Sequence, residues 1–303
     1  IFHSNFPKQE LIKEKEVVIE EINSYKDSPS DLIFDDFDQV LFKDHSLGND
    51  ILGTIKQVKS IKRADVIRFV KKHYAPEKMV ISSVGNYTLT KILNYLNKYF
   101  EETLDFFSTQ KRLVPNHISL DDKIVQKDLY QSNTLLGGRG CSADHEFKNS
   151  LLLANNLLGG PAMNSRLNLN IRERFGLTYM LESNCAIYSD CGSFSVYFAT
   201  DSKSTSKVES LVKKELIKLC DNSLGTIQLS QAKKQVKGQL AISMDNNLGV
   251  MLSNGKSKLL FNRVDTLDEV LESFEKISSF QILEAANEIM HPDVLFNLTY
   301  QAK

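Results

Sequence analysis

Two stretches of this chain, 216 residues apart, follow one pattern. SIKRADVIRFVKKHYAPEKMVI at 60–81 aligns without a gap with KISSFQILEAANEIMHPDVLFN at 276–297. The alignment pairs Ile61 with Ile277, Val66 with Ile282, Ile67 with Leu283, Pro76 with Pro292 and Met79 with Leu295. Each copy reads as an amphipathic helix stopped by proline and followed by a buried strand. A match of this length favours a duplicated α+β unit, so two related halves are expected rather than one continuous core. The 303 residues suit two domains of ordinary size.

Periodicity fills in the rest. Helical spacing predicts helices over 9–25, 31–42, 60–74, 88–100, 146–158, 165–175, 205–221, 226–254, 266–275 and 279–290. Alternation predicts strands over 79–86, 129–136 and 294–300 and a hairpin over 177–200 that turns near Ser189 and Asp190. The pattern lapses before residue 125, giving a first unit at 1–108, a linker at 109–125 and a second unit at 126–303. A first unit of the same length as the second begins roughly ninety residues before Ile1, so the chain reads as a fragment.

The opening helix carries the sharpest difference between the copies. EKEVVIEEI places Glu14 and Glu21 seven residues apart, on one helical face and roughly 10 Å apart along the axis. Val17, Val18, Ile22 and Tyr25 supply an apolar stripe. With a shift of 218 residues this helix falls on LSQAKKQVKGQL, where Ala232 replaces Glu14 and Gln239 replaces Glu21. Packing alone needs neither acid. Their presence in one copy is expected if that copy keeps chemistry and the other keeps shape.

Charge excludes several classes of function. Lys and Arg total 37 against 38 Asp and Glu, so there is no electrostatic reason to expect nucleic acid or an anionic membrane as partner. The longest apolar runs fall short of the roughly 20 residues needed to span a bilayer. The compartment stays open, with a soluble cytoplasmic protein favoured over a periplasmic one. Cys141, Cys185, Cys191 and Cys220 form no CxxC pair and read as buried free thiols.

Taken together, EKEVVIEEINSYKDSP, HSLGNDILGTIKQVKSIKRADVIRFVKKHYAPEKMVISSVGN and LLGGPAMNSRLNLNIRERFGLTY resemble the inverted zinc metallopeptidases of the pitrilysin, insulinase and mitochondrial processing peptidase type. The resemblance covers nearly the whole chain. It implies an α+β fold of two homologous units, each a largely antiparallel sheet with helices on one face. It also implies a zinc-dependent endopeptidase acting on peptides or unfolded segments, working as a homodimer or as a heterodimer with a related subunit. Glu21 matches the family's third zinc ligand, and Glu14 a second acid on that helix. Arg172 and Tyr179 match the pair thought to hold the substrate backbone. Such a site makes chemical sense: zinc takes two imidazoles and one carboxylate and keeps a position open for water, while amide hydrolysis needs a base and donors for the oxyanion.

The departure concerns the histidines. His3, His45, His73, His117, His145 and His291 form no H-x-x-E-H, and His145-Glu146 reads as the start of a helix. The repeat puts the motif roughly sixty residues upstream of Ile1. This polypeptide alone is therefore expected neither to bind zinc tightly nor to hydrolyse peptides. A noncatalytic partner or scaffold of the same fold is the alternative; Glu21, Arg172 and Tyr179 argue against it. A peptide-binding protein without hydrolytic activity is a third reading, and it leaves the acid asymmetry unexplained.

Overall fold

Alternate residues of three segments, Leu135, Tyr197 with Ala199, and Phe296 with Leu298 and Tyr300, gather in one buried cluster. That period of two marks one face of a sheet. The computed structural model describes residues 4–100, 113–116 and 121–303. Residues 109–112 and 117–120 of the expected linker, with His3 and His117, lie outside them. In chain order the elements are α1 (Lys8–Lys26), α2 (Pro29–Leu41), α3 (Ile55–Ser60), α4 (Arg63–His73), α5 (Leu89–Phe100), β1 (Lys123–Lys127), β2 (Ser132–Gly140) and α6 (Lys148–Gly159). A π-helical turn (Asn168–Glu173) follows, then β3 (Thr178–Ile187), β4 (Gly192–Thr200), α7 (Thr205–Asp221), α8 (Thr226–Ser243), α9 (Asn247–Phe261), α10 (Leu267–Glu275), α11 (Ser279–Ile289) and β5 (Phe296–Ala302).

The chain divides into two units built from discontinuous segments. One holds Tyr25–Ile51, Val114–Gly238 and Asp268–Lys303. Its five-stranded sheet runs β1-β5-β2-β4-β3 and is antiparallel except for the parallel pair β1/β5. On one face lies α2, burying Ile33, Phe37 and Leu41; Phe37 stacks on Phe296 with ring centroids 4.8 Å apart. Gly137 permits that approach. A Cβ there would lie 2.8 Å from Phe37 Cζ and 2.4 Å from the Phe194 carbonyl oxygen. The opposite face carries α6, α7 and α11, whose buried residues include Leu151, Leu158, Val212, Leu216, Ile282 and Ile289. Successive residues of β5 read both sides: Phe296 meets α2, while Asn297 donates from Nδ2 to Glu209 Oε1 on α7 at 3.1 Å.

The other unit holds Ile1–Ser24, Leu52–Leu113 and Gln239–Leu267. Its described residues are helical and contain no strand. The Lys15 ammonium caps the end of α3, donating to the Lys59 and Ile61 carbonyls at 3.0 and 2.5 Å. Arg63 ties the start of α4 to the chain before α1 by donating to the Asn5 and Phe6 carbonyls.

The local expectations hold where the signal is local. The copies agree in bounds: α4 and α11 start 216 residues apart, as do the 3₁₀ turns Pro76–Lys78 and Pro292–Val294. Residues 79–86, expected as a strand, are not one, because backbone there finds no neighbouring strand to pair with among the described residues. The helix expected over 226–254 is two, since the Asn246 carboxamide oxygen accepts from Leu248 and Gly249 N–H and starts α9 anew. The helix expected over 60–74 is α4, starting at Arg63, and the short helix α3 before it is an addition, begun by a capping box in which Thr54 Oγ1 accepts from Gln57 N–H. Strand β1, a five-residue segment at the edge of the expected linker, was not foreseen.

Candidate functional site

In α1 the buried side is narrower than the stripe read from sequence. Ile22 is buried and Leu11, Val18 and Ile19 half-buried, whereas Val17 and Tyr25 face solvent. Glu14 and Glu21 are both exposed, and among the described residues neither carboxylate has a hydrogen bond or ion pair. Glu21 borders an open hollow of about 560 Å³ beside Val17, Glu20 and Ser24. One carboxylate is a poor zinc site, since zinc is held by three or four protein ligands. No group of three His, Cys, Asp or Glu among the described residues is placed to hold a metal ion. The residues present therefore do not by themselves fit the metal that the resemblance implies. His145 sits at a helix start, as read: its Nδ1 accepts from Phe147 N–H at 3.2 Å just before α6, and its Nε2 lies 3.4 Å from Glu288 Oε1 on α11.

Arg172 and Tyr179 sit on either side of one chain reversal in the sheet-bearing unit. Arg172 lies inside the π-helical turn, a register in which one residue is inserted into the helical ladder. Its guanidinium is partly exposed and its nearest acid is the neighbouring Glu173, with Nε 3.9 Å from Oε1. The helix ends as its glycine predicts: Gly176 takes φ +61° and its N–H donates to the Arg172 carbonyl at 2.9 Å.

Tyr179 is placed by a second irregularity. Thr178 pairs with Thr200 and Met180 with Ala199, so Tyr179 is the extra residue of a β-bulge at the start of edge strand β3. Its ring is 81% exposed. Two hydroxyls pin the bulge. Thr178 Oγ1 donates to the Ala199 carbonyl at 2.7 Å, and Thr200 Oγ1 to the Leu177 carbonyl at 2.5 Å. Among the described residues the Tyr179 phenol has no partner, so it is free to donate to a ligand. Spacing alone, seven residues from Arg172, gives no sign of either irregularity.

Sequence reading also missed the polar side of α2. Tyr300 donates its hydroxyl to Asp36 Oδ2 at 2.5 Å; burial and that carboxylate push the phenol pKa well up. Burial, helped by Asp35, pushes the Asp38 carboxyl up to about 6. The four cysteines are free thiols; Cys141, Cys191 and Cys220 are buried and Cys185 half-buried. No helix among the described residues is long and apolar enough to cross a membrane.

Comparison with known proteins agrees with this fold. A family model described as the peptidase M16 inactive domain matches residues 60–236. The chain is 30% identical over 292 residues to the uncharacterized zinc protease YmxG of Bacillus subtilis, covering 96% of this chain and 71% of that protein. It is 27% identical to an uncharacterized zinc protease of Rickettsia bellii, over 95% of this chain and 69% of the relative. Among solved structures, the peptidase M16 inactive domain from Pseudomonas fluorescens superposes with TM-score 0.89 at 18% identity, covering 99% of this chain and 72% of that one. A chain of complex III2 from Candida albicans does so with TM-score 0.79 at 17% identity, over 95% and 70% of the two chains.

Proposed function

Because the chain belongs to the peptidase M16 family, we propose that it forms the substrate-handling part of a zinc-dependent endopeptidase that cleaves peptides or unfolded polypeptide segments. The observation that carries this reading is the coincidence of both matched residues with backbone irregularities, Arg172 in a π turn and Tyr179 on a bulge. Such irregularities cost backbone pairing and recur where a side chain is re-aimed for function. In this reading the Arg172 guanidinium donates to carbonyl oxygens of an extended peptide. The Tyr179 phenol donates to the oxygen that gains charge as the amide is attacked.

Glu21 is proposed as one zinc ligand, with Glu14 as an acid behind it. The two imidazoles and the general base come from outside the 303 residues. Residues 1–108 then belong to the zinc-bearing half, 109–125 to a linker and 126–303 to the non-zinc half. The working assembly is a homodimer or a pair with a related subunit. The alternative, a noncatalytic scaffold subunit, draws on the fold likeness to the complex III2 chain.

Cleavage of a fluorogenic peptide by the complete protein separates the two. Glu21→Gln is expected to abolish turnover with an unchanged fold, because an amide is a poor zinc ligand; turnover at the wild-type rate overturns the assignment. Arg172→Ala and Tyr179→Phe are each expected to slow cleavage by about 10²–10³-fold with zinc retained, the usual effect of removing one oxyanion donor.

A further inference from the structure

Arg166 stands two residues before the π turn and is half-buried, yet among the described residues its guanidinium makes no hydrogen bond and no ion pair. Its five N–H donors are therefore not engaged by protein acceptors and are available to a ligand at the hollows it borders. The nearest acid whose charge it feels, Glu215, is buried and already engaged. Its Oε1 accepts from Lys218 Nζ at 2.6 Å and its Oε2 from Asn170 Nδ2 at 3.0 Å.

Arg166 borders two adjoining hollows, both lined wholly by residues of the sheet-bearing unit. The first, about 390 Å³, is polar, with Glu215, Lys218, Asn222 and Gln228 around the guanidinium. The second, about 710 Å³, has an apolar floor of Leu157, Leu169 and Ala232 and a rim of carboxamides. Gln235 on that rim is held in place: its Oε1 accepts from Asn164 Nδ2 and its Nε2 donates to Asn156 Oδ1, both at 2.9 Å. Gln231, beside it, has no partner among the described residues. Across the two hollows Arg166, Lys218 and Lys234 face one carboxylate, Glu215, so the local charge is positive.

We propose that this groove is a binding site for the C-terminal carboxylate of a peptide. Arg166 grips the carboxylate with its planar fork, the carboxamide rim meets the peptide backbone, and the Leu157/Leu169 floor takes an apolar side chain. The fork geometry favours a planar two-oxygen anion, and carboxamides supply both donors and acceptors, as a backbone requires. The choice of a peptide rests on the proposed function; the preference for a carboxylate rests on Arg166. The site is separate from Arg172 and Tyr179 in its residues, and it extends peptide handling from the cleavage site to the end of the chain.

The test is calorimetry on this chain with an N-acetylated tetrapeptide ending in leucine, its terminal carboxylate either free or amidated. The free acid is expected to bind at least ~10-fold more tightly, the effect of one charge-assisted pair. Arg166→Gln is expected to erase that preference, and Gln231→Ala to weaken both peptides together. Equal binding of the two peptides to the wild-type chain overturns the site without recourse to a variant. So does a preference that survives Arg166→Gln, or displacement of the free acid by an equal concentration of inorganic phosphate. Neither zinc nor turnover enters the measurement, so failure here leaves the peptidase reading standing, and an inactive complete protein leaves this site standing.

Discussion

The two copies of the repeat agree in their helices and part at their strands. In each, a helix of matching bounds is followed by a 3₁₀ turn that opens on proline. Beyond the turn the second copy enters the sheet as β5, paired on both sides by β1 and β2. The corresponding residues of the first copy form no strand with any of the described residues, and Ile81 is half exposed. The helices differ in burial as well. Helix α11 buries Ile282, Ala285, Ala286 and Ile289, whereas α4 buries none of its residues. A helix closes its hydrogen bonds within itself, so sequence specifies it locally; a strand exists only when another strand accepts its N–H groups.

The largest test of this contrast is a pair of truncations. Phe296→Ala removes a ring that is stacked on Phe37 and almost wholly buried, and is expected to cost about 3–5 kcal/mol. Val80→Ala, at the matching position of the first copy, is expected to cost less than about 1 kcal/mol. Urea unfolding of both variants measures the difference. Equal losses would break the comparison, since they would mean that residue 80 is as firmly packed as β5.

These same residues explain what could be read in advance. Most helices, the proline turns, the αL glycine at Gly176 and the hairpin of β3 and β4 follow from local signals and are found, while the break between α8 and α9 and the short helix α3 are not among the expectations. Resemblance supplied the pairing of Arg172 with Tyr179, but neither spacing nor composition reveals a π turn or a bulge, because each is a slip in backbone register that many side chains tolerate. The docking of α2 on the sheet was also invisible. Its hint, three glycines in the strand segment LLGGRG, marks close approaches without naming what approaches. Arg166 has no sequence signature; its interest lies in what is missing around it.

A second, smaller contrast concerns the helix that follows the opening one in each copy. With the 218-residue shift, α2 matches α9, yet α2 buries Ile33, Phe37 and Leu41 while Leu248, Leu252 and Leu259 of α9 are exposed. Burial has an electrostatic consequence. Asp38 on α2, near Asp35 and Tyr188, titrates at about 6 instead of 3.8; the position on α9 carries exposed Lys256. An acid with a raised folded pKa costs stability once ionised. Below about pH 4 both states are protonated and nothing is lost; from about 4 through 6 stability falls, and above that the penalty is complete. Asp38→Asn is expected to stabilise the protein by about 3 kcal/mol at pH 8 and by little at pH 4. A gain of the same size at both pH values would show that carboxylate ionisation is not the cause.

The smallest expected effect lies at the start of the repeated helix itself. In α11 the capping box is complete: Ser278 Oγ accepts from Gln281 N–H at 3.2 Å, and Gln281 Oε1 accepts from Ser278 N–H at 2.9 Å. In α4 only the return half exists, Asp65 Oδ2 accepting from Lys62 N–H at 2.9 Å, because a lysine ammonium has no lone pair with which to accept. Lys62 already has the extended backbone of a cap residue, φ −108° and ψ 157°. Lys62→Ser therefore adds the missing acceptor without moving the chain, and is expected to stabilise by about 0.5–1 kcal/mol, while Ser278→Ala loses about 1 kcal/mol. If thermal unfolding shows the loss in α11 but no gain in α4, the first helix is limited by its lack of buried contacts rather than by its cap, and the difference between the copies is one of packing alone.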